Sequence, residues 1–230
     1  MRRSRSVRRC RLGQRYDIFV IFVIGKNDPE TNMKESWKPG TLIYPLPAVL
    51  VSCGAAPDEY NLFTVAWTGT VCTEPPMCSI SVRPGRHSYD LIRRTGEFVI
   101  NLTTRRLARA TDWCGVRSGR DYDKFREMGL TPGAALHVAA PIVEESPVNI
   151  ECRVRQILPL GSHDLFLAEV VGVQVSAELI DPATGRFALE RAEPIVYSHG
   201  TYFALGEALG NFGWSVRKRP SVQARKRSGR

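Results

Sequence analysis

Hydrophobic and polar residues alternate with a period of two over most of the chain, the pattern of strands that bury one face. "TLIYPLP" and "AVLVSCG" read as a strand bent at Pro45 and Pro47. After the turn "AAPDEYN" come "LFTVAWTGT" and "MCSISV", and "EFVINLT" follows a short helix. Further on, "VNIECRVRQILPL" and "HDLFLAEVVGVQVSAELI" are two long strands joined at Gly161 and Ser162, which predicts a hairpin. Helical spacing is confined to "YDLIRR", ended by Gly96, and to a run from about Leu107 to Met128. That run is broken around "CGVRSGR" and closed by Gly129. Antiparallel strands with a few short helices, in one domain of about 180 residues, predict a mainly β barrel or sandwich.

Composition changes this picture only at the ends. The 230 residues are 43% hydrophobic, ample for a core, and carry a net charge of +9. Residues 1–32 contribute +5 and residues 217–230 contribute +7, which leaves residues 33–216 at −3. The domain is therefore expected over 33–216, between an N-terminal basic extension (or a misplaced start) and a basic C-terminal tail. The tail has no aromatic residues interleaved with its bases, so it reads as a solvated terminus rather than a nucleic-acid-binding arm. The apolar run "YDIFVIFVIG" is far shorter than the ~20 residues that cross a bilayer, and it lacks a convincing leader cleavage site. Cysteines at 10, 53, 72, 78, 114 and 152 show no C-x-x-C pair and no zinc spacing, and His87, His137, His163 and His199 are scattered. These features predict free thiols, a reducing cytoplasmic compartment and no metal site.

Neither a glycine-rich dinucleotide fingerprint nor a P-loop is present, and there is no G-x-S-x-G or H-E-x-x-H. One stretch does carry chemistry. In "SISVRPGRHSYD" (79–90) a strand runs into a turn containing Arg83 and Arg86, directly before a helix. Ser88 fits as the N-cap of that helix. Unpaired N–H groups at the helix start attract anions, and the two arginines with the Ser81 and Ser88 hydroxyls would complete a phosphate-binding turn. The alternative is a solvent-facing turn whose arginines pair with Asp90 or Glu97.

The order of the motifs adds a second line of inference. "NLFTVAWTGTV", "PPMCSISVRPGRHSYDLIRRTGEFVINL", "WCGVRSGRDYDKFREMGL", "GSHDLFLAEV" and "PIVYSHGTYFALGEALG" together resemble the flavin reductase-like family, flavoredoxin included, from about Trp37 to Gly213. The resemblance implies an FMN-binding split β-barrel of antiparallel, Greek-key type. It also implies a homodimer with FMN near the subunit interface. On the matching positions, Asn61, Thr64, Ala66, Trp67 and Thr68 would lie along the flavin, and Ser81, Arg86 and Ser88 would hold its phosphate. Many relatives have Thr at position 88, and Ser keeps the hydroxyl. Asn101 would approach the ring or ribityl chain, Lys124 and His163 would contact the cofactor, and Tyr197 would border the site. Read singly, Lys124 is an ordinary surface lysine, Trp67 a core residue, His163 a strand-end histidine and Cys114 a packed thiol. The resemblance reverses the reading for Lys124 and His163 and leaves Cys114 open. The implied activity is an oxidoreductase: NADH or NADPH reduces FMN, which passes electrons to a flavin, metal-complex or protein acceptor. His163 then tunes the flavin and is the one catalytic candidate. The competing class is a non-enzymatic FMN electron carrier between redox protein partners.

Overall fold

The computed structural model describes residues 34–217. The expectations for 1–32 and for the tail beyond Arg217 lie outside the described residues. Lys34–Gly40 belong to a separate unit without helix or strand; everything below concerns the unit that begins at Thr41.

The chain runs β1 (Leu46–Pro47), β2 (Val49–Cys53), a 3-10 turn (Pro57–Glu59), β3 (Asn61–Val65), β4 (Thr68–Cys72) and β5 (Met77–Val82). Helix α1 (His87–Thr95) leads to β6 (Glu97–Leu102), followed by α2 (Ala108–Val116) and α3 (Lys124–Met128). Two short strands, β7 (Pro132–Gly133) and β8 (Ile142–Val143), precede the long hairpin of β9 (Val148–Pro159) and β10 (Asp164–Val175). Strands β11 (Ile195–Ser198) and β12 (Thr201–Ala204) follow. Both predicted helical regions and the hairpin are present. Gly96 and Gly129 end α1 and α3 in the left-handed region, with φ of 70° and 63°.

Seven strands form one antiparallel sheet in the order β3-β2-β6-β9-β10-β5-β4, and β1-β11-β12 form a small second sheet. The predicted single strand "LFTVAWTGT" is in fact two. It breaks at Ala66–Trp67, and its halves become opposite edges of the seven-stranded sheet. Two residues can link those edges only if the sheet curls until they nearly meet. The Ser81 amide bonds the Trp67 carbonyl at 2.9 Å there, yet β3 and β4 do not pair. The result is a barrel split along one seam, the expected mainly β fold.

Strand β2 is buried on both faces, and its alternation distributes residues between two cores. Val49, Val51 and Cys53 join Phe63, Ile80, Phe98 and Phe166 inside the curl. Leu50 instead joins Leu62, Leu107, Cys114 and Phe125, where α2 and α3 cover the outside. Strand β3 divides the same way, so its outer residue Thr64 faces α2. The Thr64 hydroxyl donates to the Thr111 carbonyl. The seam and the helix α2 therefore meet at β3, and the site lies along that meeting line.

Candidate functional site

A cavity of about 430 Å³ opens at the seam. The end of β3 and the link after it supply Thr64, Ala66 and Trp67; the end of β5 supplies Ser81, Arg83 and, beyond the turn, Arg86. His163 enters from the tip of the long hairpin, and Tyr197 and Tyr202 from the small sheet. The Trp67 ring, partly exposed, stacks on His163 at 6.2 Å between centroids and 10° between planes. His163 Nδ1 lies 2.9 Å from the Ser162 hydroxyl, which leaves Nε2 as its uncommitted nitrogen. Partial burial and then the charges of Arg83 and Arg86 hold His163 below its ordinary pKa.

Arg86, Thr64, Phe63 and Gly115 also line a second cavity of about 200 Å³, so the two spaces share a wall. Asn61, Ser88 and Lys124 form its floor, all three buried. The Asn61 amide donates to the Ser88 hydroxyl at 2.7 Å, and Lys124 Nζ donates to the Cys114 carbonyl at 2.8 Å. That bond uses one of the three donors of an ammonium. Burial pushes the Lys124 pKa down to about 8, with Arg86 contributing in the same direction. His87, at the same cavity, is lowered by burial and then by Arg120 and Lys124. Among the described residues, none of Arg83, Arg86, Arg120 and Lys124 pairs with a carboxylate. Arg86, Arg117, Arg120 and Lys124 line the second cavity, and Arg83 lines the first, beside the N-terminus of α1, whose first N–H groups have no intrahelical partner. The crevice is built for an anion.

The structure thus brings together Asn61, Thr64, Ala66, Trp67, Ser81, Arg86, Ser88, Lys124, His163 and Tyr197. Two expected residues stand apart. Thr68 turns its hydroxyl to the Ser79 carbonyl at 2.8 Å, in strand pairing rather than in a cavity wall. Asn101 is fully buried behind β2. Its amide donates to the Leu50 carbonyl and the Ser52 hydroxyl, each at 3.0 Å, and its carbonyl accepts from the Val143 amide and from Asn149. Every polar atom of that side chain is occupied by the fold, so its role is to lock β2, β6, β8 and β9 together. Ser88 is corrected in part as well: α1 starts one residue earlier, at His87, with Arg86 in the N-cap position and no side-chain cap. Ser88 sits inside the first turn and points its hydroxyl into the protein toward Asn61.

Arg120 and Gly115 were not apparent from sequence. Arg120 reaches across to donate to the Gly85 carbonyl at 3.1 Å, which ties the loop after α2 to the arginine turn. The one signal was the pair of glycines in "CGVRSGR", with one arginine between them and Arg120 directly after the second. Cys114 is packed at 1% exposure, and burial pushes its thiol up to about 11, which makes it a filler of the outer core rather than a nucleophile.

Comparison with known proteins agrees with this geometry. Residues 41–206 match the flavin reductase like domain family. Among solved structures, flavoredoxin of Desulfovibrio vulgaris (Miyazaki F) superposes with a TM-score of 0.73 at 30% identity, covering 80% of this chain and all of that one. Nitrilotriacetate monooxygenase component B from Bacillus cereus shares the fold at a TM-score of 0.70 and 22% identity, covering 79% of this chain and all of its own. A curated relative, the NADPH-flavin oxidoreductase of Streptomyces viridifaciens, is 29% identical over 113 residues, 47% of this chain and 56% of its own. The split barrel, the arginine turn at its seam and a match running the length of the barrel have one common explanation: the chain belongs to the flavin reductase-like family.

Proposed function

We propose that this protein is an FMN-dependent oxidoreductase that draws electrons from NADH or NADPH. The buried Lys124 ammonium carries the reading. Among the described residues it makes one hydrogen bond and no ion pair, it faces a cavity, and that cavity adjoins a larger one bordered by Trp67, His163 and Tyr197. Arg86, Lys124 and the start of α1 would hold the phosphate, and the seam cavity would take the ring. Its 430 Å³ lies within the usual size range for a small-molecule site. Bound flavin supplies the two-electron chemistry; the chain supplies position and charge. The Arg83 and Arg86 guanidiniums at the cavity favour negative charge gathering there. His163, its pKa lowered by partial burial and then by Arg83 and Arg86, presents Nε2 for a hydrogen bond to a bound molecule.

The chain is proposed to work as a homodimer. Leu205, Leu209, Phe212, Trp214 and Val216 follow β12 as an apolar run exposed to solvent, more than one surface normally leaves uncovered. Anaerobic stopped-flow mixing of the FMN-loaded protein with NADH and NADPH tests the activity. Rapid bleaching of the flavin band near about 450 nm by either nucleotide supports an oxidoreductase. Bleaching by neither, with rapid oxidation of photoreduced flavin by an acceptor protein, assigns the chain as an electron carrier instead.

A further inference from the structure

Hairpin tips that stand in solvent are ordinarily among the looser parts of a fold. The tip of the β9–β10 hairpin is exposed at Leu160, Gly161 and Ser162, yet the next residue, His163, is held from several directions. Its backbone carbonyl accepts from the Leu160 amide at 3.0 Å, which closes the tip. Its ring lies nearly parallel to Trp67, and its Nδ1 lies 2.9 Å from the Ser162 hydroxyl. The residue after it, Asp164, is buried and accepts from the Tyr89 hydroxyl at 2.6 Å, which ties the tip to α1. Tyr89 is itself fixed edge-on against Phe166, with ring centroids 5.4 Å apart. Ordering a side chain at an exposed tip costs conformational entropy, and positions that carry chemistry are where such ordering is maintained.

The contact at Nδ1 also decides what the other nitrogen can do. In a neutral imidazole one nitrogen carries the proton and the other a lone pair. A hydroxyl donating into the Nδ1 lone pair leaves the proton on Nε2; an Nδ1–H donating to the hydroxyl leaves Nε2 as an acceptor. The groups around the seam cavity favour the first arrangement. Arg83 and Arg86 present donors only, and Ser81 adds a hydroxyl, so the cavity suits a molecule with electron-rich acceptor atoms. An Nε2–H complements such a molecule, whereas a bare Nε2 lone pair opposes it.

We infer that Ser162 is a positioning residue for His163: its hydroxyl donates to Nδ1 and fixes the ring with the proton on Nε2, a donor for an electron-rich oxygen or nitrogen of a molecule in the seam cavity. The inference rests on the oxidoreductase reading proposed above for its chemistry, but not for its geometry, and two measurements keep these apart. The first is long-range proton–nitrogen NMR of the imidazole in the isotope-labelled, flavin-free full chain at about pH 8, above the ordinary histidine pKa. His163 is expected as a single Nε2–H tautomer in the wild type and in Ser162→Thr, which keeps the hydroxyl, and as a mixture of tautomers in Ser162→Ala. The second is stopped-flow reduction of the FMN-loaded protein at saturating nucleotide. Ser162→Ala should slow reduction about tenfold and Ser162→Thr should stay within about twofold of wild type, with FMN affinity in both within about twofold of wild type. A wild-type ring that carries its proton on Nδ1, or that is already a mixture, overturns the inference. So does a Ser162→Ala variant that keeps the wild-type tautomer or the wild-type rate. If neither NADH nor NADPH reduces the wild-type flavin, the oxidoreductase reading fails, and the tautomer result alone upholds or overturns the role of Ser162.

Discussion

An ammonium buried beside two thiols and a run of arginines is costly unless an anion shares the space. Lys124 is in that situation, with Cys53 and Cys114 as its thiol neighbours and Arg86 as the nearby cation. Its pKa near 8 sets a pH window. Below about pH 8 the free protein holds Lys124 charged and ready for a phosphate; above it the proton must be taken up on binding. FMN affinity is therefore expected to fall as pH rises from 8 toward 10, while riboflavin affinity stays flat; titrations at three pH values check this. The same depression means that the unfolded chain, with an ordinary lysine, binds more protons than the folded one in this range. The Lys124 contribution therefore disfavours folding most below pH 8, and the penalty is relieved as pH rises toward the unfolded value. Lys124→Met should accordingly gain on the order of 1 kcal/mol in urea unfolding at pH 7 and lose about tenfold or more in FMN affinity. None of this was legible in "DYDKFREM", a polar stretch in which a lysine looks solvated. Its burial comes from Phe125, which anchors α3 into the outer core beside Cys114.

At the scale of elements, the alternation of apolar residues identified the strands, and the glycines identified the helix ends. What it did not reveal was the break inside "LFTVAWTGT", because Ala66 and Trp67 continue the apolar pattern while the chain crosses the seam. The crossing is a consequence of sheet curl, a long-range property that a local period does not carry. The arginine turn was legible for the opposite reason, since its residues are consecutive. Asn101 shows the limit of the family resemblance. It lies on β6, separated from the seam by β2 and β3, and its amide is spent on holding four strands. Asn101→Ala is expected to cost about 2–4 kcal/mol of unfolding free energy, through buried groups left unsatisfied. At temperatures where the variant is folded, its flavin affinity should match wild type. Paired denaturation and flavin titration distinguish this from a cofactor contact, which would move affinity as well.

Across the whole molecule the charge is divided. The net positive balance belongs to the ends, whereas the barrel itself is slightly acidic, so the cationic crevice is a local feature on an otherwise negative body. Among the described residues no helix is long and apolar enough to cross a membrane. The exposed apolar run after β12 belongs to this scale too. Sedimentation velocity is expected to report a dimer for the wild-type chain and a monomer for Leu209→Asp/Phe212→Asp, two positions almost wholly exposed in the single chain. An unchanged sedimentation coefficient in the variant would place the interface elsewhere. The central claim, that the crevice at the seam exists to hold a flavin by its phosphate, is tested most directly by titrating the flavin-free protein with FMN and riboflavin. Charge-assisted bonds from Arg86 and Lys124 should make FMN bind about 100-fold or more tightly than riboflavin, and Arg86→Ala should remove at least about tenfold of that difference. Equal affinities for the two flavins, in a protein that is folded and binds both, would contradict it.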